Sequence, residues 1–285
     1  MEMPLVSVLI TSYNREWYIE EAINSVLAQT YKNFEIVIVD NCSTDGTRDI
    51  IERYKDNEKI RIYFNENNIG QFPNRNKAAS LAKGELLLYV DSDDTIAPDA
   101  IEYVVKSFRQ FPQADFATLY KDDDIKEVVM IDSHTVINKH FFDKSILYIG
   151  PGGTAISREL FQKTGGFPSS YGPACDMYYN IKMASNAKVL LFPYNYLNYR
   201  RHEGQEINNS FPYLYDGYRY FDDIMHLPEL PLNQEERKYL AKKNKRRFIV
   251  NLSKFILKGG SLKNASKAIK LAEFRLRDFF EGIFN

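Results

Sequence analysis

Apolar and polar positions follow two rhythms along the first half of this chain. Short β-branched runs bounded by turn residues, Val6–Ile10, Phe34–Val39, Ile60–Phe64 and Leu86–Val90, predict strands, most of them buried on both faces. Between them the spacing lengthens to the helical period. Trp17–Gln29 puts Ile19, Ala22, Ile23, Val26 and Leu27 on one stripe. A second helix opens near Asp45-Gly46-Thr47, capped from Ser43, Thr44 or Asp45, with Ile50, Ile51 and Tyr54 turned inward. A third ends over Ala78–Lys83, with Gly84 suited to a left-handed terminus, and a fourth spans Asp99–Phe111 with Pro98 in its first turn. Strands alternating with helices predict an α/β fold on a mixed, mostly parallel sheet.

Past residue 111 the rhythm weakens. Phe116–Tyr120 reads as a strand, and Val128–Ile131 is expected to pair with it across Lys121-Asp122-Asp123-Asp124, a solvated acidic tip. Arg158–Lys163 and Asp176–Ser185 read as helices, Val189–Phe192 as a late strand, and Asp132–Pro173 as largely irregular. After Pro231 two helices are expected, near Glu235–Lys258 and Leu262–Ile283, separated by Gly259-Gly260-Ser261.

With 285 residues, 44% of them hydrophobic, the chain can bury a full core without covalent staples. Two cysteines, Cys42 and Cys175, exclude a disulfide framework and fit a reducing compartment. No run approaches the roughly 18–20 apolar residues of a spanning helix, and the start lacks signal-peptide features. A cytoplasmic enzyme is therefore expected. The formal net charge of -1 argues against a nucleic-acid partner. It also conceals a split. Residues 235–285 carry 14 Lys or Arg against 5 Asp or Glu, a balance of +9, which leaves -10 on residues 1–234. That break divides a catalytic domain, 1–234, from a basic helical tail, 235–285.

The chemistry gathers where strands end. Asp91-Ser92-Asp93-Asp94 follows the strand Leu86–Val90, and ligands of open α/β sheets bind beyond the carboxyl ends of the strands. Carboxylates there can hold a hard divalent cation, which neutralises phosphate oxygens; an Asp-rich turn is the alternative. Asp40 ends the second strand, positioned to accept hydrogen bonds from a base or ribose, or else to anchor the turn Asn41–Asp45. Thr11-Ser12-Tyr13-Asn14-Arg15 ends the first. No Gly-x-Gly-x-x-Gly or P-loop follows any strand, which excludes the usual dinucleotide and P-loop enzymes.

These strand ends, together with Asn67-Asn68-Ile69-Gly70, Arg75-Asn76 and the later GGTAISRELFQKTGGF, occur in order over about residues 4–205. The set resembles the family 2 glycosyltransferases of bacterial polysaccharide synthesis. The resemblance implies a GT-A fold, with a nucleotide-sugar half over about 1–95 and an acceptor half over about 96–210. It implies that Asp40 reads uracil or an equivalent base, flanked by Thr11, Tyr13 and Arg15. Asp91 and Ser92 would lie near ribose or sugar, Asp93 on a Mn²⁺ or Mg²⁺ ion, and Arg75 near the nucleotide. The late Tyr199-Arg200-Arg201-His202 segment resembles the family's Tyr-Arg-x-His. There Arg200 would help neutralise the diphosphate, and His202 would add a metal or phosphate contact. His134, His140 and His226 show no ligand spacing and read as surface or loop residues.

The family's catalytic base belongs to an acidic pair opening a helix after Gly-Gly-Phe. Here that stretch is Gly172-Pro173-Ala174-Cys175-Asp176-Met177, so Cys175 replaces the first acid and Asp176 remains as base. The expected reaction is inverting transfer from a nucleoside-diphosphate sugar, UDP-linked by preference, to a hydroxyl of a glycan or lipid-linked acceptor. A non-catalytic nucleotide-sugar-binding subunit is the alternative that Cys175 suggests; a sugar-1-phosphate nucleotidyltransferase lacks its Gly-rich basic loop. In the tail, Phe248, Ile249, Leu252, Phe255 and Ile256 form one apolar stripe, and Leu262, Ala265, Ile269, Ala272, Leu276, Phe279 and Ile283 another. Such helices pack on their own domain or on a second subunit as a homo-oligomer, or they anchor the chain peripherally to an anionic membrane, such as the inner face of the plasma membrane.

Overall fold

The structure, a computed structural model, describes residues 3–122, 124–203, 205 and 210–284. Asp123 of the acidic tip lies outside the described residues. In chain order the elements are β1 (Val6–Ser12), α1 (Ile19–Leu27), β2 (Phe34–Asp40), α2 (Thr47–Glu52), β3 (Ile60–Phe64), α3 (Gln71–Leu81), β4 (Leu86–Asp91), β5 (Thr95–Ile96), α4 (Ala100–Gln110), β6 (Ala114–Leu119) and β7 (Val129–Ile131). There follow α5 (Ser133–Phe142), β8 (Thr154–Ser157), α6 (Arg158–Thr164), α7 (Cys175–Ser185), β9 (Lys188–Phe192), β10 (Leu197–Asn198), α8 (Ser210–Ile224), α9 (Gln234–Leu257), α10 (Leu262–Leu271) and α11 (Leu276–Ile283).

The main sheet runs β3-β2-β1-β4-β8-β6-β9-β7. Its first four strands are parallel, β8 is antiparallel to both neighbours, and β9 returns parallel to β6. Alternate residues of a strand face opposite sides, and that alternation sorts the apolar residues into two cores. Val8, Ile10, Ile36, Ile38, Leu88 and Val90 face α1 and α4, whereas Leu9, Val37, Val39, Leu87 and Tyr89 face α3, α5, α7 and α8. Both faces are covered, which is why these strands read as continuous apolar runs.

Four local expectations are corrected. First, β7 pairs antiparallel with β9, not with β6, because β8 and β9 already occupy both edges of β6. The acidic stretch is thus no hairpin tip, and Asp122 anchors it by accepting from Tyr120 Oη at 2.6 Å. Second, the helix before Gly84 stops at Leu81, where Ala82 turns extended, and Gly84 is not left-handed. Gly84 is instead demanded by close approach: a Cβ there would lie 2.5 Å from Ser7 N and 2.7 Å from Leu5 O. Third, the fourth helix begins at Ala100 with Asp99 at its N-cap position, so Pro98 sits just ahead of it. Fourth, the last helix is broken: Glu273 adopts a φ of 53°, which lets Phe274 pack on Phe248 and Tyr218 with ring centroids 4.8 and 5.2 Å away.

Two helices, α5 and α8, were invisible to the apolar period. His140, read as a surface or loop residue, is 2% exposed inside α5. Burial lowers its pKa to about 3, and its neutral Nδ1 accepts from the backbone N–H groups of Ile146 and Leu147 at 3.2 and 3.1 Å. The tail folds onto α8. Asn233 and Glu236 form a capping box at the start of α9. Leu240 joins the large core, Phe248 and Ala272 join Tyr218, and Lys245 ties α9 to Asp278 of α11 at 3.0 Å.

Candidate active site

At the carboxyl edge of β1, β2 and β4 opens a cavity of about 700 Å³. Thr11–Arg15 reach it from the end of β1, Asn41 from β2, and Asp91–Asp93 from β4. Gln71, Asn74 and Arg75 enter on the first turns of α3, which Gly70 makes possible with a φ of 89° that an L side chain would resist. Asp176, second residue of α7, closes another side, with Pro151 and Tyr199. Thr11, Tyr13, Arg15, Arg75, Asp91, Ser92, Asp93 and Asp176, scattered over 165 positions of sequence, therefore share one cavity.

Inside it charges are arranged in pairs that leave capacity over. Arg75 donates from Nη2 to Asp91 Oδ1 at 2.6 Å, while its Nε and Nη1 are buried without a hydrogen-bond partner. Burial disfavours its charge, yet the Asp91 carboxylate holds its pKa above the ordinary value. Asp93 Oδ2 accepts from Arg15 Nε at 3.0 Å and lies 3.0 Å from His202 Nε2. His202 in turn stacks on Tyr18, ring centroids 4.7 Å apart. Asp94 is buried, accepts from the Arg200 backbone N–H at 2.9 Å, and is pushed up to about 7 by burial, with Asp91 and Asp93 adding to the effect. Burial likewise pushes Asp176 up to about 6, against the Met177 N–H and Arg75, which favour its charged form.

Three predicted residues do not line the cavity: Asp40, Arg200 and His202, the last set against Asp93. Asp40 is 1% exposed and does not line the cavity; its carboxylate accepts from the backbone N–H and hydroxyl of Ser43. It anchors the turn that carries Asn41. Arg200 lies beside the cavity, paired with Glu21 at 2.9 Å and set over the Tyr18 ring. Sequence reasoning missed Asn41, Gln71, Asn74, Gln205 and Tyr213. Asn41 and Asn74 belong to a lattice in which Asn41 Oδ1 accepts from Asn65 Nδ2 and the Ile69 N–H, and Asn74 donates to Val39 O. The density of Asn between positions 65 and 76 was its available signal; Tyr213 had none.

Cys175 is fully buried and its thiol is pushed up to about 12, so it packs and is no nucleophile. Among the described residues no three His, Cys, Asp or Glu side chains form a ready metal cage. Asp93 Oδ2 and His202 Nε2 nevertheless lie side by side, 3.0 Å apart, an oxygen and a nitrogen donor in contact with each other. A donor pair of this kind would be compatible with Mg²⁺ or Mn²⁺.

The family described as glycosyl transferase family 2 matches residues 7–165, the span that supplies all of these strand ends. The chain belongs to glycosyl transferase family 2. Within that family it is 47% identical over 100 residues to the putative teichuronic acid biosynthesis glycosyltransferase TuaG of Bacillus subtilis, covering 35% of this chain and 40% of TuaG. The chain spans about two fifths of the length of curated relatives it matches. Among solved structures, S. aureus TarS 1–349 in complex with UDP-GlcNAc is 24% identical, with a TM-score of 0.76 over 98% of this chain and 81% of that one. A mannosyltransferase of Pyrobaculum calidifontis, PcManGT, in complex with GDP-Man and Mn²⁺, gives a TM-score of 0.59 at 19% identity, over 99% and 84%. These likenesses establish the GT-A fold, an α/β structure with a mixed, mostly parallel sheet and a helical C-terminal region.

Proposed function

We propose that this family 2 member is an inverting glycosyltransferase that moves a sugar from a UDP-linked donor to a hydroxyl of a glycan or lipid-linked acceptor, in cell-surface polysaccharide synthesis on the cytoplasmic side. The observation that carries this reading is Asp176. Unlike Asp91 and Asp93, which pair with Arg75 and Arg15, it is a cavity carboxylate with no ion pair among the described residues, and its pKa near 6 leaves it charged yet basic at neutral pH. Asp176 takes the proton from the acceptor hydroxyl as that oxygen bonds to the anomeric carbon. The bond to the diphosphate breaks on the opposite face and its electron pair leaves with the diphosphate. Arg15 and the unpartnered donors of Arg75 face the negative charge that develops. Thr11, Tyr13 and Ser92 line the nucleotide and ribose, Asp91 orients Arg75, and Asp40 acts through the Asn41–Ser43 turn. Arg200 approaches the diphosphate by exchanging Glu21 for it. When bound through Asp93 and His202, Mn²⁺ or Mg²⁺ would supply further neutralisation of the leaving group.

The test is direct. Titration with UDP and Mn²⁺ should stabilise the intact chain, and Asp93→Ala or chelation should abolish transfer. Full transfer in a metal-free assay overturns the metal role. A non-catalytic nucleotide-binding subunit is the alternative suggested by Cys175; donor binding with no product from any acceptor would favour it.

The tail supports a further proposal. Leu257, Leu262 and Leu276 are 86%, 74% and 74% exposed, and Phe280, Ile283 and Phe284 are exposed with them. Lys254, Lys258, Lys263, Lys267 and Lys270 are exposed in the same region. No described helix is long and apolar enough to cross a membrane. Apolar side chains among lysines fit the interface of an anionic bilayer, where each Lys near the surface contributes on the order of 1 kcal/mol. Salt-sensitive co-sedimentation with anionic liposomes, lost on deleting 250–285, is expected. A chain that stays in the supernatant, or that dimerises through this surface, overturns membrane attachment.

A further inference from the structure

A second cavity, of about 220 Å³, adjoins the first. Tyr213 of α8 lines both, and Met177, the neighbour of Asp176, lines the second. None of the nucleotide-side residues Thr11–Arg15, Asn41 or Asp91–Asp93 reaches it. Its walls are Tyr148, the aromatic face of α8, and Asn244, Arg247 and Asn251 of α9. The first cavity holds three carboxylates, Asp91, Asp93 and Asp176, whereas the second holds no carboxylate and one guanidinium.

The walls are held before any ligand arrives. His140 accepts two backbone N–H groups of the segment that carries Tyr148, and Asn180 Nδ2 donates to Leu147 O and Ile149 O at 2.9 and 2.8 Å. Tyr220 Oη donates to Tyr148 Oη at 3.2 Å. Arg247 Nη2 donates to Asn244 Oδ1 at 2.9 Å, and Asn244 Nδ2 donates to Tyr218 O at 3.0 Å. Arg247 also lies over the Phe221 ring, 4.8 Å from its centroid, and among the described residues it has no carboxylate partner. Flat aromatic faces take up the C–H faces of a sugar ring. Phenol, amide and guanidinium groups take up its hydroxyls or an acidic substituent.

We propose that this cavity is the acceptor subsite, which holds the saccharide unit next to the one whose hydroxyl meets Asp176, with Arg247 favouring an acidic unit over a neutral one. The inference rests on the transferase reading above. It also makes α9, and so the basic tail, part of the catalytic unit. Gly217 offers a clean way to close the cavity, because a Cβ there meets nothing within 4 Å and the residue sits in α8 with an ordinary φ. Wild type, Gly217→Trp and Arg247→Ala are applied as intact chains to an array of defined acidic and neutral oligosaccharides, and UDP binding is measured in parallel. Expected is retention of acidic oligosaccharides by wild type, a loss of about tenfold or more in both variants, and UDP affinity within about twofold throughout. Undiminished retention by Gly217→Trp overturns the subsite, as does a wild type that binds UDP but no saccharide. A wild type that fails to bind UDP overturns the transferase reading instead.

Discussion

The two ends of the same parallel strands treat their buried charges in opposite ways. At the amino end of β2, Glu35 is fully occupied. Its Oε1 accepts from Ser7 Oγ and the Lys83 N–H at 2.6 Å each, and its Oε2 pairs with Arg61 at 2.9 Å. Burial opposes its charge, but these bonds outweigh that and hold its pKa below the ordinary range. At the carboxyl end, Asp94 and Asp176 are pushed up to about 7 and 6, and Arg75 keeps two buried donors without partners. Both ends are buried and charged. A carboxylate enclosed by donors fastens strands together, whereas the unpartnered donors of Arg75 beside Asp176 leave capacity for a ligand.

The contrast can be broken most sharply at Asp176. Asp176→Asn should lower kcat by about 10²- to 10⁴-fold while UDP binding stays near wild type, the range for loss of a general base. Comparable turnover would remove Asp176 from the reaction. Next, Glu35→Ala should cost about 2–4 kcal/mol in urea unfolding, because Arg61 and Ser7 lose a buried partner, while kcat of the folded fraction is retained. Since the folded pKa of Glu35 is depressed, its contribution is present above the ordinary carboxylate range. It fades as pH falls, so variant and wild type should converge in acid. A smaller effect is the acid limb of turnover: kcat should fall roughly tenfold per pH unit below about 6, as Asp176 takes up its proton. Smallest of all, Cys175→Ala should leave turnover within about threefold, and a larger loss would give the thiol a role its burial denies.

The sheet was legible because β1, β2 and β4 are buried on both faces, so each wrote an uninterrupted apolar run. The strand ends then located Asp91–Asp93 and Arg15 without any knowledge of contacts. Asp176 came from the register of a family motif, not from its own surroundings. The pairing of β7 was not legible, since a three-residue edge strand carries no record of which neighbour accepts it. α8 escaped for a related reason. Its contacts are aromatic and lie against α9, α10 and α7, so Tyr213, Tyr218 and Tyr220 look polar or apolar depending on a partner the local sequence does not name. Asp40 shows the converse. Its position at a strand end left two roles open, a ligand contact or an anchor for the turn that follows, and the contact with Ser43, three residues on, is of the second kind.

Leu240 gives the tail a meaning that its charge alone could not. With one side chain in the large core and Asn244, Arg247 and Asn251 on the second cavity, α9 is packed into the fold and not merely appended to it. Were both proposals for this segment to hold, exchanging it would change the acceptor site and the membrane surface together, because one helix carries part of each.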